Sequence, residues 1–156
     1  MARGEVKQFQ EYQKDAGSGV HNLSTATLKL GIIDNTTPPE VDDATPRWAD
    51  YVGNEVVSTG NYTADGETLT TVTYTMVGGL ATLAADDVNI GVHASGFLDG
   101  YWGILYNSSA SNDEAIGFVE MGGPVSEQAD DVDFEWTGGV VCEFPANVLT
   151  WETPVT

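Results

Sequence analysis

The chain has 156 residues, 41% of them hydrophobic and 10% aromatic, which is enough for one domain with its own core. Twenty-four Asp and Glu stand against five Lys and Arg, giving a formal net charge of -19 and a pI near 4.1. No Lys or Arg occurs from Trp48 to Thr156. A surface so short of cations repels phosphate backbones and anionic lipid, so direct contact with nucleic acid or membrane is excluded as a function class. The lone Cys142 rules out an intrachain disulfide and a cysteine-based zinc site. No apolar run reaches membrane-spanning length, and the polar Gln8, Gln10, Glu11 and Gln13 follow the N-terminus where a secretory signal carries its apolar region. The expectation is a soluble protein made in a cytoplasm.

The first segment differs from the rest. Residues 1–33 carry four basic and three acidic side chains, whereas residues 34–156 carry one basic and twenty-one acidic. Val6, Phe9, Tyr12 and Ala16 recur at helical spacing, and Gly17-Ser18-Gly19 supplies a stop. So short an amphipathic helix is marginal in water and needs a partner for its apolar face. Two readings stay open: the helix packs on its own domain, or residues 1–20 form an arm that docks on a neighbouring subunit or larger surface.

Beyond the arm the chain reads as β. Thr27–Ile33 is the first strand, closed by the loop Asp34–Pro39. Thr45 and Pro46 mark a helix of two turns at most, ended by Gly53. Val56–Ala64 and Glu67–Val77 flank Asp65-Gly66, which predicts a hairpin with Val72, Tyr74 and Met76 on one face and threonines on the other. Further strands are expected near Leu80–Ala84, Val88–Val92, Phe97–Tyr106, Ala115–Met121, Val132–Trp136, Val140–Phe144 and Asn147–Trp151. The sum is a mainly β chain: an antiparallel β-sandwich or barrel of about seven to nine short strands with an N-terminal helical arm. The domain division is residues 1–20 for the arm and 21–156 for a single β domain. Adjacent aspartates at 42–43, 86–87 and 130–131 recur every 44 residues, the last two pairs within Ala-Asp-Asp-Val. They read as similar entries into strands rather than as a repeat.

Little in the chain demands catalysis. His21 and His93 are the only histidines, and no Gly-x-Ser-x-Gly elbow accompanies either. No phosphate-binding glycine loop occurs in the required context. Carboxylates are plentiful enough for a glycosidase pair, but abundance nominates no particular two. Asp131, Asp133 and Glu135 alternate with Val132, Phe134 and Trp136, so one strand face is acidic and the other apolar. That face is a solvated surface first, a calcium site second, and a docking face for a basic partner third. No catalytic residue, cofactor or metal is assigned.

The order of segments is similar to that of a family of small virion proteins of tailed phages. The residues that carry the resemblance are Gly19-Val20-His21-Asn22-Leu23-Ser24 through Leu30, then Trp48-Ala49-Asp50 and Gly60–Gly66. Ala85-Asp86-Asp87-Val88, Trp102–Asn107 and Ile116–Pro124 follow in the same order, so the likeness spans most of residues 5–144. Tyr101-Trp102 departs from the family's Arg-Tyr at that strand start, and Asp65 stands where a Gly is common. The resemblance implies a non-enzymatic structural protein, a capsid decoration or cement protein on the capsid exterior, made in the host cytoplasm. Its partners would be the major capsid protein and sister copies, with a homotrimer as one arrangement. The alternative is a tail or fibre component that binds carbohydrate. Arg3, Lys7, Phe9, Tyr12 and Lys14 are the residues expected to dock on capsid or subunit, as apolar anchors ringed by charge.

Overall fold

A computed structural model describes residues 5–144; Arg3 and the strand expected at Asn147–Trp151 lie outside them. In chain order the elements are β1 (Lys7–Gln8), α1 (Glu11–Gly17), β2 (Leu28–Ile33), α2 (Trp48–Tyr51), β3 (Glu67–Thr68), β4 (Thr73–Val77) and β5 (Leu80–Ala84). They continue with β6 (Val88–Ile90), β7 (Gly100–Asn107), β8 (Ala115–Val125), β9 (Val132–Phe134) and β10 (Val140–Phe144). The fold is mainly β and sandwich-like, with every strand pair antiparallel. A five-stranded sheet runs β1-β8-β7-β2-β3, a three-stranded sheet β10-β5-β4, and β6 pairs with β9.

The five-stranded sheet is covered on both faces, which explains why β2 reads as almost unbroken apolar sequence. Its inner face (Leu28, Leu30, Ile32, Leu105, Val119) joins Leu83, Phe97, Phe134, Val141 and Phe144 in the main core. Its outer face carries a smaller aromatic cluster of Phe9, Trp48, Tyr51, Tyr106 and Phe118. Trp48 stacks on Tyr106 with ring centroids 5.0 Å apart and planes 1° from parallel. The indole lies so close over Gly31 that a Cβ there would overlap the ring. Gly31 therefore lets α2 cover the sheet.

Residues 5–20 belong to the domain. The helical spacing from Val6 is broken, because Lys7 and Gln8 pair with Phe118 and Gly117 as an extended strand and the helix begins only at Glu11. Gly117 permits that approach: a Cβ on it would meet the Lys7 carbonyl oxygen at 2.5 Å. Strand alternation at β1 then sends Val6 toward the main core and Phe9 into the outer cluster, while Tyr12 returns to the main core. The lead thus wraps the β8 edge and buries its aromatic residues on both sides of it. Of the two readings left open, packing on the parent domain is what the structure shows.

The expected hairpin at Asp65-Gly66 is a correction. Residues 56–64 form no strand, and β3 pairs with β2 rather than with them. Gly66 has φ +88° and is pressed onto β2, where a Cβ would lie 2.8 Å from the Leu30 carbonyl. Tyr62 is inserted beneath, its hydroxyl accepting the Ile32 N–H at 2.9 Å and donating to Glu55 at 2.7 Å. A side chain thereby takes the ladder position that a neighbouring strand would fill. The true hairpin joins β4 to β5 through Gly78-Gly79, whose φ values of 57° and 86° suit a two-residue turn with left-handed twist at both positions.

The paired aspartates find a geometric meaning. Val88 pairs with Phe134, Asn89 with Asp133 and Ile90 with Val132. Asp87 accepts the Trp136 N–H at 2.8 Å, and Asp131 accepts the Val92 N–H at 2.7 Å. Each Ala-Asp-Asp-Val segment therefore enters one strand of the ribbon and caps the end of the other, related by a local twofold centred on Asn89 and Asp133. Gly78-Gly79 turns a hairpin, whereas Gly122-Gly123 lies in a bulge of β8 between the residues opposite Trp102 and Gly100.

Candidate docking surfaces

The residues nominated for docking do not act together. Phe9 and Tyr12 are 1% and 6% exposed, Phe9 against Tyr51 and Phe118, Tyr12 stacked between His21 and Phe144. Their burial within the domain removes them as external anchors. Lys7 is exposed on the outer face of the five-stranded sheet, 3.5 Å from Glu120. Lys14 is exposed on α1 and pairs with Glu11 one turn earlier.

Register places a second cation on the same face as Lys7, three strands away. Lys29 pairs with Tyr106 and Lys7 with Phe118, so both lysines share the sheet face that carries the aromatic cluster. Arg47, exposed, leads into α2 over the same face, where its N–H is held by Asp50 at 3.0 Å. Trp102 stands on this face opposite Ile33 and Glu120. It is half-buried, its edge on Phe118 and its Nε1 donating to Asn35 at 3.0 Å. Trp48 and Trp136 are buried, so Trp102 is the indole with most surface to offer among the described residues. The face thus combines Lys7, Lys29, Arg47 and a half-buried indole. An exposed ion pair such as Lys7–Glu120 is worth little, so its lysine can change partner at small cost.

The acidic strand alternates as expected. Val132, Phe134 and Trp136 are buried, and Asp131 and Glu135 are exposed. Its carboxylates already have structural work: Asp131 caps β6 and Asp133 accepts the Asn89 amide. Among the described residues no group of three or more His, Cys, Asp or Glu is placed to hold a metal ion.

One carboxylate escaped the sequence reading altogether. Glu127 is fully buried, yet its partners among the described residues include no cation. It accepts from the Ser58 hydroxyl at 2.8 Å, from the Phe97 N–H at 3.2 Å and from the Asn61 N–H. Gly60 and Gly96 close over it, and a Cβ on Gly96 would lie 2.5 Å from its Cδ. Burial pushes its pKa up, but the ring of donors outweighs that and holds it below the ordinary carboxylate value. The side chain ties three loops into one rigid end of the sandwich. Nothing in its local sequence, Ser126-Glu127-Gln128, distinguishes it from a surface glutamate; the signal was the two distant glycines.

The histidines are separate. His21 is buried, stacked on Tyr12 at 5.1 Å. Asn107 Oδ1 accepts the Ser109 N–H, which turns its amide nitrogen toward His21 Nδ1 at 3.3 Å. The ring is thus neutral, with its proton on Nε2, and burial lowers its pKa below the ordinary 6.5. His93 is exposed, and its Nδ1 accepts the backbone N–H of Ser95 rather than the serine hydroxyl. A groove of about 410 Å³ between the lead and β10 is lined by Glu5, Val6, Trp136, Val140 and Glu143. No helix among the described residues is long and apolar enough to cross a membrane.

No family model matches this chain, and neither does any curated protein or solved structure.

Proposed function

We propose that the chain is a non-enzymatic structural protein of a tailed-phage virion, a decoration or cement protein that covers the outer surface of the major capsid protein shell. The observation that carries this reading is the segregation of charge. Three of the chain's five cations, Lys7, Lys29 and Arg47, lie on the side of the five-stranded sheet that also carries Trp102, whereas residues 48–156 contain no Lys or Arg. A cover protein needs one face that grips and another that repels, so that nucleic acid and unrelated proteins do not adsorb. Many copies on a lattice add avidity, so each grip can be weak. The ordered resemblance of residues 5–144 to small virion proteins supports the same reading.

The test is co-sedimentation with purified shells stripped of the protein. Native protein is expected to saturate the shells at a fixed ratio, and the double variant Lys7→Glu, Arg47→Glu to lose at least about tenfold in affinity. Equal binding by both would reject the gripping face, and no binding by either would reject the shell as partner.

Trp102 favours a second reading, a tail or fibre component that stacks a sugar ring on the half-buried indole. Glycan-dependent quenching of Trp102 fluorescence, lost in Trp102→Ala, would support it. A labelled copy seen on the head would remove it.

A further inference from the structure

Among the described residues, nearly every strand edge carries a device that discourages pairing with another chain. β1 is two residues long and bears Lys7; β3 is two residues long and bears Glu67. Beside β10, the Gln8 amide occupies the Glu143 carbonyl at 2.8 Å. The β6–β9 ribbon is closed at each end by an aspartate. β4 has no such protection among the described residues. It is five residues long, forms the outer strand of its sheet, and leaves Thr73, Thr75, Met76 and Val77 exposed. From Thr68 to Ala85 there is no Asp, Glu, Lys or Arg, the longest uncharged run in the chain.

We propose that the free edge of β4 pairs antiparallel with β4 of a second copy of this chain, across a twofold axis at Thr75. Charge selects the occupant. Two copies of net charge -19 repel wherever carboxylates meet, and the β4–β5 hairpin is where they can approach with none between them. A cationic partner would find nothing here to read. The hairpin geometry selects the register. The two-residue turn makes Val77 and Leu80 a hydrogen-bonded pair, and alternation then aims the N–H and C=O of Tyr74 and Met76 away from β5. With Thr75 opposite Thr75 of the second copy, each Tyr74 meets Met76 across the axis and the outward groups of both strands are satisfied.

Side chains suit that register. Met76, 68% exposed, would lie beside the half-buried Tyr74 ring of the other copy, a sulfur–aromatic contact. On the opposite face Thr75 meets Thr75, and Val77 meets Thr73, pairings favoured across antiparallel strands. The two three-stranded sheets become one continuous sheet. This inference stands independently of the shell reading, because it needs no partner but the chain itself.

The experiment is sedimentation of the full chain up to millimolar concentration, together with two cysteine variants. The native protein is expected to dimerise reversibly. Met76→Pro removes an outward N–H without touching the β4–β5 ladder, so it should fold normally and weaken the dimer at least about tenfold. If that variant fails to fold, Thr75→Lys serves instead, since it sets two ammonium groups face to face. Under mild oxidation Thr75→Cys should give a disulfide-linked dimer and Val77→Cys, opposite Thr73, should not. Cys142 does not interfere, because it is buried and its thiol pKa is pushed up to about 12. A native chain that stays monomeric throughout, a Met76→Pro or Thr75→Lys variant that dimerises like the native one, or equal cross-linking by both cysteine variants would overturn the proposal.

Discussion

The five-stranded and three-stranded sheets are held in opposite ways. The larger is clamped on both faces, and its cover lies so close that the Trp48 ring over Gly31 and the Lys7 backbone over Gly117 leave no room for a methyl group. Loops beside it are locked by the buried Glu127. The smaller ends in β4, where Met76 and Val77 are 68% and 57% exposed and no charged residue among the described ones guards the edge. The contrast separates two kinds of surface within one domain: one sheet is a rigid platform, and the other leaves a strand edge open.

Substitutions can sharpen or break that contrast, and the largest effect is expected in the clamped sheet. Phe9→Ala empties a site between Tyr51 and Phe118 and should cost about 4 kcal/mol in denaturant unfolding. A loss below about 1 kcal/mol would mean that the lead is dispensable to the domain. Glu127→Gln presents an amide nitrogen to groups that donate, and should cost about 3 kcal/mol.

Because the Glu127 pKa is lowered on folding, its stabilisation is present above the ordinary 4.5 and is lost as pH falls through the folded value. The Gln variant should therefore show a flatter acid limb in a stability–pH profile. Gly31→Ala must displace the Trp48 ring and should cost about 2 kcal/mol, read as a lower Tm with loss of the near-UV signal of the stacked pair.

A smaller effect involves His21, whose pKa is lowered by burial. The unfolded chain then binds more protons as pH drops below 6.5, so native stability should begin to fall there, before the carboxylates titrate. His21→Asn should remove that part of the pH dependence. Smallest of all, Val77→Ala at the hairpin tip should change stability by less than about 0.5 kcal/mol. A large loss there would show the open sheet to be as tightly determined as the closed one.

Much of this division was legible in the sequence, and the exceptions have physical causes. β5 and β10 fall where Leu80–Ala84 and Val140–Phe144 predict them, and the alternation of Val132, Phe134 and Trp136 with carboxylates translates directly into a buried and an exposed face. The hairpin was misplaced because Asp65-Gly66 and Gly78-Gly79 both permit left-handed backbone. Only tertiary contact, Tyr62 against β2, decides which of them joins two strands. The helix was drawn too early because Val6 and Phe9 fit a helical period and a strand's opposed faces equally well. Gly117, more than a hundred residues away, settles the choice.

Glu127 was hidden for a related reason. A carboxylate satisfied by backbone N–H groups leaves no charged partner in the sequence to announce it. The cation-bearing face also emerges only from strand register, since Lys7, Lys29 and Arg47 are scattered along the chain.

The central claim is that this acidic domain covers a virion shell with its cationic, Trp102-bearing face inward. A cryo-electron microscopy reconstruction of particles carrying the protein tests it most directly. The account predicts density at regular sites on the outside of the head, with Lys7, Lys29 and Arg47 toward the shell and the carboxylate-rich surface toward solvent. Particles whose heads lack that density, or in which the domain rests on its acidic strand Val132–Phe134, would contradict it.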